Sequence, residues 1–564
     1  MTRASTDADP RPPAPQRRYP PLFAGLPVVV WMLCGLFVAS MLAWSITKAT
    51  YNSPDEHKHV AAALYWAEFH EWPGFKEMPM MLSVMRSHDA VSADERDAGN
   101  AASRQDRPSF ADLTSEELVS GKTINQMTQH PPLYYIVLGQ LHDWVPSETP
   151  ADLEVWLMRG LSVLIMAPLP LLAAALARRL GGSRPVIVIA AASTALLPGL
   201  ASIGGTVNND NLLTAASSWA LLGAGCVLSG DLRLRTATWI GLALAVALMS
   251  KAFAIPVALA VALAYLVTIV RTRAVRSGII AATVAGCVAM LGGWWWVRNL
   301  LLYGTLQPAG TAAPLPDGPL PLVDALTIYL DQFVRVFFTR YWAGFDSSGS
   351  EDPALWPFLA LSVVAVLVVV VALIVPTPSR PRGGALNVIV MLTPFALTLA
   401  SLLYSTIRIT MSTGYPAGVQ GRYLYCAIIG MTTVVALSLG WLLPRRAQMI
   451  GMLVVTAGGL ALTAWRSWTA VVNSWAPAAH DLMEHFRALF AWSPLPYAAS
   501  MSCFLLLAGS ILIVAVFTVR EFRLEMGSDS EPTLGAGSDR GRSDAGAPAG
   551  STAQLEAIAA PDRS

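Results

Sequence analysis

Four residues near the beginning of the chain have side chains suited to acid–base or metal chemistry: Asp55, Glu56, His57 and His59. A carboxylate can take the proton from an attacking hydroxyl, and carboxylates together with imidazoles can hold a cation. Asp55 and His59 are four positions apart, so they would share one face of a helix, whereas His57 would point elsewhere. The alternative for both acids is that they only complement the positive end of that helix. Asp55 and Glu56 are therefore candidate catalytic residues.

The candidate acids directly follow a long apolar run. Residues 27 to 48 are mostly apolar and suffice for one crossing of a hydrocarbon layer roughly 30 Å thick. Ser53 and Glu56 have the S-x-x-E spacing of a capping box, with Pro54 between them, which predicts a short helix from about Pro54 to Phe69. The acids should thus lie at a membrane surface, at the start of this helix.

The composition indicates an integral membrane protein. Of the 564 residues, 54% are hydrophobic and only 13% are charged, and the formal net charge is +1. A soluble domain carries about a quarter charged residues. A nucleic-acid-binding protein usually carries an excess of basic residues, and this chain is nearly neutral, so no nucleic-acid partner is expected. The five cysteines fall in apolar runs far apart, which argues against a disulfide framework or a metal site built from them.

The order of apolar and basic segments predicts an all-α, polytopic fold with about 12 transmembrane helices. Arginines mark every second junction between apolar runs, and positive residues stay on the cytoplasmic side, so both termini are expected in the cytoplasm. The runs lie near residues 27–48, 156–177, 185–203, 211–229, 235–250, 252–270, 277–297, 354–376, 385–406, 423–443, 448–469 and 497–519.

Three regions follow from this pattern. Residues 1–25 are predicted to form a disordered cytoplasmic N-terminus, residues 26–522 the transmembrane domain, and residues 523–564 a disordered cytoplasmic tail. The two large outer loops, 53–153 and 298–352, should each contain helices that lie in the membrane interface, at 131–146 in the first loop and 323–338 in the other. The fold of residues 72–130 cannot be inferred from the pattern.

The predicted topology gathers further polar residues at the outer surface, close to span ends. Lys251 interrupts an almost continuous apolar stretch, where an ionisable group is costly unless it has a partner or faces water. These residues also have purely structural alternatives: the asparagines could cap a helix, and the arginines could extend to lipid headgroups. The candidate substrate-binding residues are His59, His130, Asn209, Asp210, Lys251, Arg298, Arg422 and Tyr423.

Several short motifs occur in a recognisable order between residues 51 and 308. They are an acidic pair after the first span, His-Pro-Pro-Leu-Tyr-Tyr before the second, Asn-Asp at the head of a later one, a lysine at an outer span end, and Arg-Asn-Leu-x-x-Tyr-Gly. Together they resemble the GT-C superfamily of membrane glycosyltransferases, which includes protein mannosyltransferases and aminoarabinose transferases. Gln420-Gly-Arg-Tyr423 resembles a block found late in some uncharacterised bacterial members.

The resemblance implies transfer of a sugar from a polyprenyl-phosphate or polyprenyl-diphosphate donor to a glycan, lipid or protein acceptor outside the cytoplasmic membrane, usually with inversion, as in cell-envelope assembly. Asp55 matches the acidic residue that serves as general base in this family. Lys251, Arg298 and Arg422 would stabilise the departing lipid phosphate, with the nearby histidines in support. Many relatives carry a soluble domain after the last span, and its lack here points to a small or lipid-linked acceptor, or to one docked on the outer loops.

Other classes of protein remain open at this stage. A secondary transporter or flippase of envelope precursors would place Asp55 and Lys251 in a central cavity, but the sequence has no internal repeat and its polar groups gather at one surface. A non-catalytic scaffold in envelope assembly would tolerate the loss of Asp55. No cofactor is required by the pattern, although His57 and His59 beside the acids leave a divalent metal, Mg or Mn, open.

Overall fold

The computed structural model describes residues 22–91, 104–308, 315–316, 318–344, 355–476 and 478–528. The predicted disordered segments therefore lie largely outside the described residues. The last helix continues to Ser528, so the first residues of the predicted tail are helical. Within the described ranges, helices dominate and only two short strands occur.

Ten described helices are long and apolar enough to cross a membrane, or up to eleven if one bent pair forms a single span. The polytopic all-α architecture is thus confirmed, whereas the count of 12 spans is not. The run at 235–250 forms a helix that is too short to count by itself, Leu234–Leu248. The ten are Val28–Thr47, Ala151–Arg179, Asp210–Leu228, Ala252–Thr272, Val275–Tyr303, Leu355–Ile374, Gly384–Thr413, Gly421–Leu442, Arg445–Ser474 and Tyr497–Met526.

The bent pair has a local cause. Arg184–Ala195 and Pro198–Gly204 meet at an angle of 54°. Pro198 is the first residue of the second helix, and a proline has no amide hydrogen with which to continue the preceding one. The bend brings the end of the second helix, Gly204, close to the loop that precedes Asp210–Leu228.

In chain order the α-helices are α1 (Val28–Thr47), α2 (Glu56–Phe69), α3 (Leu82–Val91), α4 (Leu133–Trp144), α5 (Ala151–Met166), α6 (Leu169–Arg179), α7 (Arg184–Ala195), α8 (Pro198–Gly204), α9 (Asp210–Leu228), α10 (Leu234–Leu248), α11 (Ile255–Thr272), α12 (Val275–Tyr303), α13 (Leu322–Gln332), α14 (Phe338–Trp342), α15 (Leu355–Ile374), α16 (Gly384–Thr413), α17 (Ile428–Leu442), α18 (Arg445–Ser474), α19 (Leu482–Trp492) and α20 (Tyr497–Ser528). A π-helical turn, Phe333–Phe337, joins α13 to α14, and 3₁₀ turns at Ala252–Ala254 and Gly421–Ala427 precede α11 and α17.

The described part of residues 53–153, the predicted first outer loop, forms a small unit with its own apolar core. Its strands β1 (Pro79–Met81) and β2 (Val119–Ile124) pair antiparallel, and α4 packs on α2. The helix predicted at 131–146 is thus present as α4. Its core joins residues from both sides of the loop, including Tyr51, Val60, Leu64, Met81, Met127, Tyr135, Val155 and Val207. This core fixes the start of α2 against the loop before α9.

The start of α2 differs from the prediction. The helix begins at Glu56, and its N-cap residue is Asp55, in the left-handed conformation with φ of 59° and without a side-chain cap. The carboxylate of Glu56 accepts a hydrogen bond from the amide of Tyr51 instead of turning back to Ser53. Ser53 contributes only its carbonyl, which accepts from the amide of Glu56. The predicted capping box is therefore wrong, because a buried arginine outside this segment competes for the carboxylate.

Candidate functional site

Asp55 presents a carboxylate to the solvent side of the site. Its side chain is 37% exposed, and Nζ of Lys58, one turn along α2, lies 2.8 Å from Oδ1. Burial alone raises the pKa of Asp55, but the hydrogen bond and charge of Lys58, with smaller contributions from His59 and Arg422, lower this pKa to about 2. Asp55 is thus ionised throughout the physiological range and can accept a hydrogen bond from an approaching hydroxyl.

A second carboxylate, Asp210, sits at the first turn of α9 and is buried between two cations. Nζ of Lys251 lies 2.7 Å from its Oδ1, and Nε of Arg422 lies 3.2 Å from its Oδ2. Lys251 directly precedes the span Ala252–Thr272, and Arg422 lies in the first turn of the span Gly421–Leu442, so three spans meet here. Burial of charged groups is tolerable only with such pairing. The cluster carries one more positive than negative charge.

Loop 204–210 links the two carboxylates. Nδ2 of Asn208 lies 3.5 Å from the carbonyl oxygen of Pro54, just before Asp55, and Oδ1 of Asn208 accepts from the amide of Asp210. Asn209 donates from Nδ2 to the carbonyl of Ser250, the residue before Lys251, at 3.2 Å. Its buried Oδ1 has no hydrogen-bond partner among the described residues. The two amides therefore hold the acid-bearing and lysine-bearing segments together and leave one acceptor for a ligand.

The two predicted histidines lie behind Asp55. His59 shares a hydrogen bond of 3.1 Å between its Nδ1 and the hydroxyl of Tyr135, and the two rings stack. Burial lowers the pKa of His59 to about 3 and lowers that of His130 well below its ordinary value. Both imidazoles are therefore neutral. Nδ1 of His130 is buried without a partner in the described part of the chain, which makes it available to a polar ligand group.

The ring of Tyr423 lies close to both cations of the Asp210 cluster. Nζ of Lys251 lies 4.6 Å from the ring centroid, and the guanidinium carbon of Arg422 lies 5.5 Å from it. These are cation–π distances, and such contacts are stronger in sites that exclude water. Tyr423 thus helps to hold both cations in place, and its predicted role in substrate binding stays a prediction.

A cavity beside Pro54 has a strongly positive lining, and we call it the cationic cavity. Three of its lining residues are cations, Lys48, Arg340 and Arg422, and hydroxyls and an amide complete the polar part. No Asp or Glu occurs among the described residues that line it. Its enclosed space of about 20 Å³ admits little more than a water molecule, so a phosphate group would bind at the open mouth of the cavity. Its lining consists of Lys48, Ser53, Pro54, Gly199, Ser202, Ile203, Thr206, Arg340, Gly344, Gln420 and Arg422.

Two of these cations have donor groups without a partner. Lys48 is 4% exposed, and its ammonium group lies 6.0 Å from the ring of Trp44 but has no hydrogen-bond or ion-pair partner in the described ranges. Nη1 of Arg422 is also buried without a hydrogen bond within those ranges, although Nε of the same side chain binds Asp210. Since buried charges and donors without partners are costly, this arrangement points to an anionic ligand.

The sequence patterns did not indicate Lys48 or Arg340 as site residues. Lys48 ends the first apolar run, where a lysine resembles an ordinary residue flanking a membrane span. Arg340 follows the helix predicted in the second large outer loop, and it approaches the site because α14 packs against the Gly421 turn. A Cβ on Gly421 would come within 2.5 Å of the carbonyl oxygen of Phe337. This close approach of two segments distant in sequence was not apparent from local patterns.

Two predicted site residues lie apart from the cluster. Arg298 on α12 is half-buried, contacts the ring of Trp295 at 4.8 Å and donates to its neighbour Asn299. Neither contact reaches Asp55 or Asp210. Glu56 is fully buried, and its carboxylate is occupied by protein donors. The roles predicted for both residues stay predictions, but neither side chain opens onto the cationic cavity.

The histidines and acids do not assemble into a metal centre. His57 packs against the ring of His88, whereas His59 faces Tyr135. Within the described residues, no group of three or more His, Cys, Asp or Glu side chains is placed to hold a metal ion. The described residues therefore offer no group of three such ligands for the divalent metal left open by the sequence, and that metal stays a prediction.

The fold and the site together define a multi-pass, all-helical membrane protein with a charged pocket where the ends of several spans meet. The chain belongs to the family described as Predicted membrane protein (DUF2142), whose model matches residues 37–431. No curated protein matches the chain.

Among solved structures, the chain is similar to ArnT from Cupriavidus metallidurans bound to undecaprenyl phosphate, at 15% identity and a TM-score of 0.41, over 88% of this chain and 78% of that one. It is similar to the arabinosyltransferase EmbB from Mycobacterium smegmatis at 14% identity and a TM-score of 0.41, over 91% and 43%. It also matches the protein O-mannosyltransferase Pmt1-Pmt2 complex of S. cerevisiae at 14% identity and a TM-score of 0.29, over 50% and 34%. These TM-scores are below 0.5, so the functional proposal rests on the site.

Proposed function

We propose that this protein is a glycosyltransferase that moves a sugar from a polyprenyl-phosphate donor to an acceptor on the extracytoplasmic side of the membrane. The observation that carries the proposal is the ionised carboxylate of Asp55 next to a cavity lined by Lys48, Arg340 and Arg422 without an acid among its described residues. A base beside a preorganised anion site suits a reaction in which a hydroxyl attacks and a phosphate departs.

In the proposed reaction, an acceptor hydroxyl oxygen attacks the anomeric carbon of the donor sugar. The bond from that carbon to the phosphate oxygen breaks, and its electron pair stays on the phosphate, which leaves as polyprenyl phosphate. The hydroxyl proton passes to Asp55. The hydroxyl becomes strongly acidic as its oxygen bonds to carbon, so a base as weak as Asp55 suffices. Lys48, Arg340 and Arg422 stabilise the charge that develops on the phosphate.

The proposal includes inversion of the anomeric configuration. Glu56 has no exposed surface, so Asp55 is the acid of the α2 start that can reach a substrate. In the single displacement, Asp55 removes a proton and forms no bond to the sugar. The configuration of the isolated product, measured by NMR, distinguishes this course from a double displacement through a glycosyl–Asp55 intermediate.

The proposed orientation, with both termini in the cytoplasm and the site outside the cytoplasmic membrane, is supported by the arginines at every second junction. Donor and acceptor would then meet at the outer surface, where the first outer loop covers the site. A glycan, a lipid or a protein with a free hydroxyl group fits this geometry as an acceptor. The transporter alternative is less well supported, because Asp210 and Lys251 lie at helix ends and not midway along a span.

The test is an assay of free polyprenyl phosphate with purified protein in lipid. A panel of polyprenyl-phosphate sugars, labelled in the prenyl chain, is incubated with an envelope extract as acceptor source. We expect release from one donor of the panel, accompanied by transfer of its sugar. Sugar transfer from a diphosphate-linked donor alone would exclude the monophosphate donor. The opposite result is that neither the monophosphate-linked nor the diphosphate-linked donors transfer sugar, while a donor moves across the membrane of sealed vesicles. This result would contradict the proposal and support transport.

A further inference from the structure

A buried arginine behind the site, Arg159 on α5, fastens the end of α1. Its guanidinium donates from Nη1 to the carbonyl oxygens of Ser45 at 2.6 Å and Lys48 at 2.7 Å, and from Nη2 to that of Ala49 at 2.9 Å. The last carbonyls of a helix have no partner within the helix, so they attract a cation. The side chain of Arg159 is 2% exposed, which excludes it from contact with substrate. It fixes the backbone that carries Lys48.

The remaining donors of Arg159 go to Glu56. Nε and Nη2 lie 2.9 Å and 2.6 Å from the two carboxylate oxygens, a bidentate ion pair. The same carboxylate accepts from the amide of Tyr51 at 3.0 Å and from that of Val207 at 2.9 Å. Glu56 therefore joins the loop before Asp55 to the loop before α9.

The pair thus lies at a junction of the three segments that carry the proposed reaction. The end of α1 bears Lys48, the start of α2 bears Asp55, and loop 204–210 leads to Asp210 at the start of α9. All three are held by hydrogen bonds to one ion pair, while neither member of that pair reaches the cavity. The ion pair sets the spacing between the acid and the cations.

The backbone next to the pair is strained, which makes such fastening necessary. Tyr51 has a φ of 69° and Asp55 a φ of 59°. Aspartate tolerates the left-handed region, but a bulky residue such as tyrosine rarely adopts it. Strained residues persist only where their surroundings determine them. Here the carboxylate of Glu56 accepts a hydrogen bond from the amide of Tyr51. The amide of Glu56, the residue after Asp55, donates to the carbonyl of Ser53. Hydrogen bonds thus hold the backbone beside each strained residue.

We propose that Glu56 and Arg159 are positioning residues, which hold Asp55 at the distance from the cationic cavity that sugar transfer requires. This inference rests on the proposed function for its catalytic readout. In this role Glu56 is not a second acid or base, and Arg159, which belongs to none of the sequence motifs, has a defined task.

A matched control exists in the same outer-loop unit. Arg107 and Asp152 form another buried ion pair, with side chains 1% and 2% exposed, and Arg107 also donates to the carbonyl of Trp492. The described contacts of this pair fasten the start of α5 to the end of α19, and none of them is with the start of α2 or loop 204–210. Loss of stability alone should therefore be similar for both pairs, whereas loss of positioning should follow only from changes at Glu56 or Arg159.

The experiment compares Glu56→Gln, Arg159→Lys and Asp152→Asn with wild type in lipid. For each variant, Tm, kcat, KM for the donor and the hydrogen exchange of residues 49–58 are measured. Glu56→Gln keeps the shape of the side chain, and we expect kcat to fall by about 100-fold with KM for the donor unchanged, because a misplacement of about 1 Å costs this much. Arg159→Lys should retain part of kcat, and exchange of residues 49–58 should rise in both variants.

Two outcomes would overturn the inference. The first is a fall in kcat for Asp152→Asn equal to that for Glu56→Gln at equal Tm, which would show a general effect of stability. The second is unchanged exchange of residues 49–58 in Glu56→Gln. The exchange measurement needs no activity, so it decides the positioning role even if wild type transfers no sugar and the proposed function fails.

Discussion

The ammonium of Lys251 and the carboxylate of Asp210 lie 2.7 Å apart in a buried contact between residues 41 positions apart in the chain. Arg422 binds the other oxygen of the same carboxylate. Asp210 therefore offsets part of the positive charge at the site and orients both cations. In the proposed function, this leaves a net attraction for one phosphate without an array of unpaired charges.

Asp210→Asn should lower the free energy of unfolding, and a bound anion should stabilise the variant more than it stabilises the wild type. The substitution leaves Lys251 and Arg422 buried without their carboxylate, and the loss of one partner of a buried pair costs about 3–5 kcal/mol of unfolding free energy. Thermal unfolding in lipid should show a lower Tm, and polyprenyl phosphate should restore more of it than it adds to wild type.

Asp231→Asn is the matched control for Asp210→Asn. The carboxylate of Asp231 is buried like that of Asp210, but its partner Arg233 has a side chain that is 59% exposed, so Asp231→Asn leaves no buried cation without a partner. A decrease in Tm for Asp231→Asn as large as that for Asp210→Asn would contradict the special role of the cluster. Failure of polyprenyl phosphate to raise the Tm of Asp210→Asn would contradict its link to an anionic ligand.

Lys48→Met should weaken binding of the donor phosphate. Methionine keeps much of the length and apolar surface of the side chain but removes the ammonium from the cationic cavity. A hydrogen bond to a charged group contributes about 1.5–3 kcal/mol, so the Kd for polyprenyl phosphate should rise by about 10- to 100-fold. Arg298→Gln serves as the comparison, because Arg298 lies outside the cavity. Equal losses of affinity in the two variants would remove the basis for assigning the phosphate to this cavity.

Lys58→Met should move the acid limb of the pH–rate profile upward. In the wild type, the pKa of Asp55 is lowered to about 2, so Asp55 stays ionised, and transfer persists, as the pH falls through the range where an ordinary aspartate is protonated. Without the ammonium of Lys58, the effect of burial raises the pKa of Asp55. The variant should then lose kcat/KM at a higher pH than the wild type does, in a titration from neutral pH to about pH 4.

The control for this profile is Lys122→Met, since Lys122 is exposed on β2, in another part of the outer loop. Its acid limb should match that of wild type. An acid limb for Lys58→Met at the wild-type position would show that Lys58 does not set the protonation of the essential acid.

Gly421→Ala should distort the cationic cavity. The added methyl group would come within 2.5 Å of the carbonyl oxygen of Phe337, so either the α14 segment with Arg340 or the turn with Arg422 must shift. We expect a lower Tm and weaker binding of polyprenyl phosphate. Gly286→Ala on α12 is the control, because a methyl group there would have no heavy atom of another segment within 4 Å, and alanine is the better helix former. Wild-type binding by Gly421→Ala would mean that the close approach does not shape the site.

The sequence predicted much of the architecture, because membrane spans and the chemistry of their ends depend on local composition. The helix after Asp55 and the helix at 131–146 are present, and Asp210, Lys251 and Arg422 meet as their shared position at span ends suggested. Long-range contacts account for what could not be predicted. Glu56 has the spacing of a capping residue, yet it binds Arg159, which lies 103 positions away and follows no local pattern.

The cationic cavity could not be predicted for the same reason. Lys48 and Arg340 come together only because the end of α1, the bent helix α8 and the α14 segment pack side by side. The pairing of β1 with β2 within residues 72–130 was equally hard to predict, since these strands have only 3 and 6 residues. Hydropathy reports which segments enter the membrane, but it carries little information on how their ends are arranged.

The central claim is that Asp55 takes the proton in a sugar transfer from a polyprenyl-phosphate donor. The most direct measurement compares wild type with Asp55→Asn for transfer of labelled sugar and, in the same preparations, for binding of polyprenyl phosphate. The account predicts that transfer falls by about 10²- to 10⁴-fold while binding and Tm stay near wild-type values. Undiminished transfer by Asp55→Asn would contradict it.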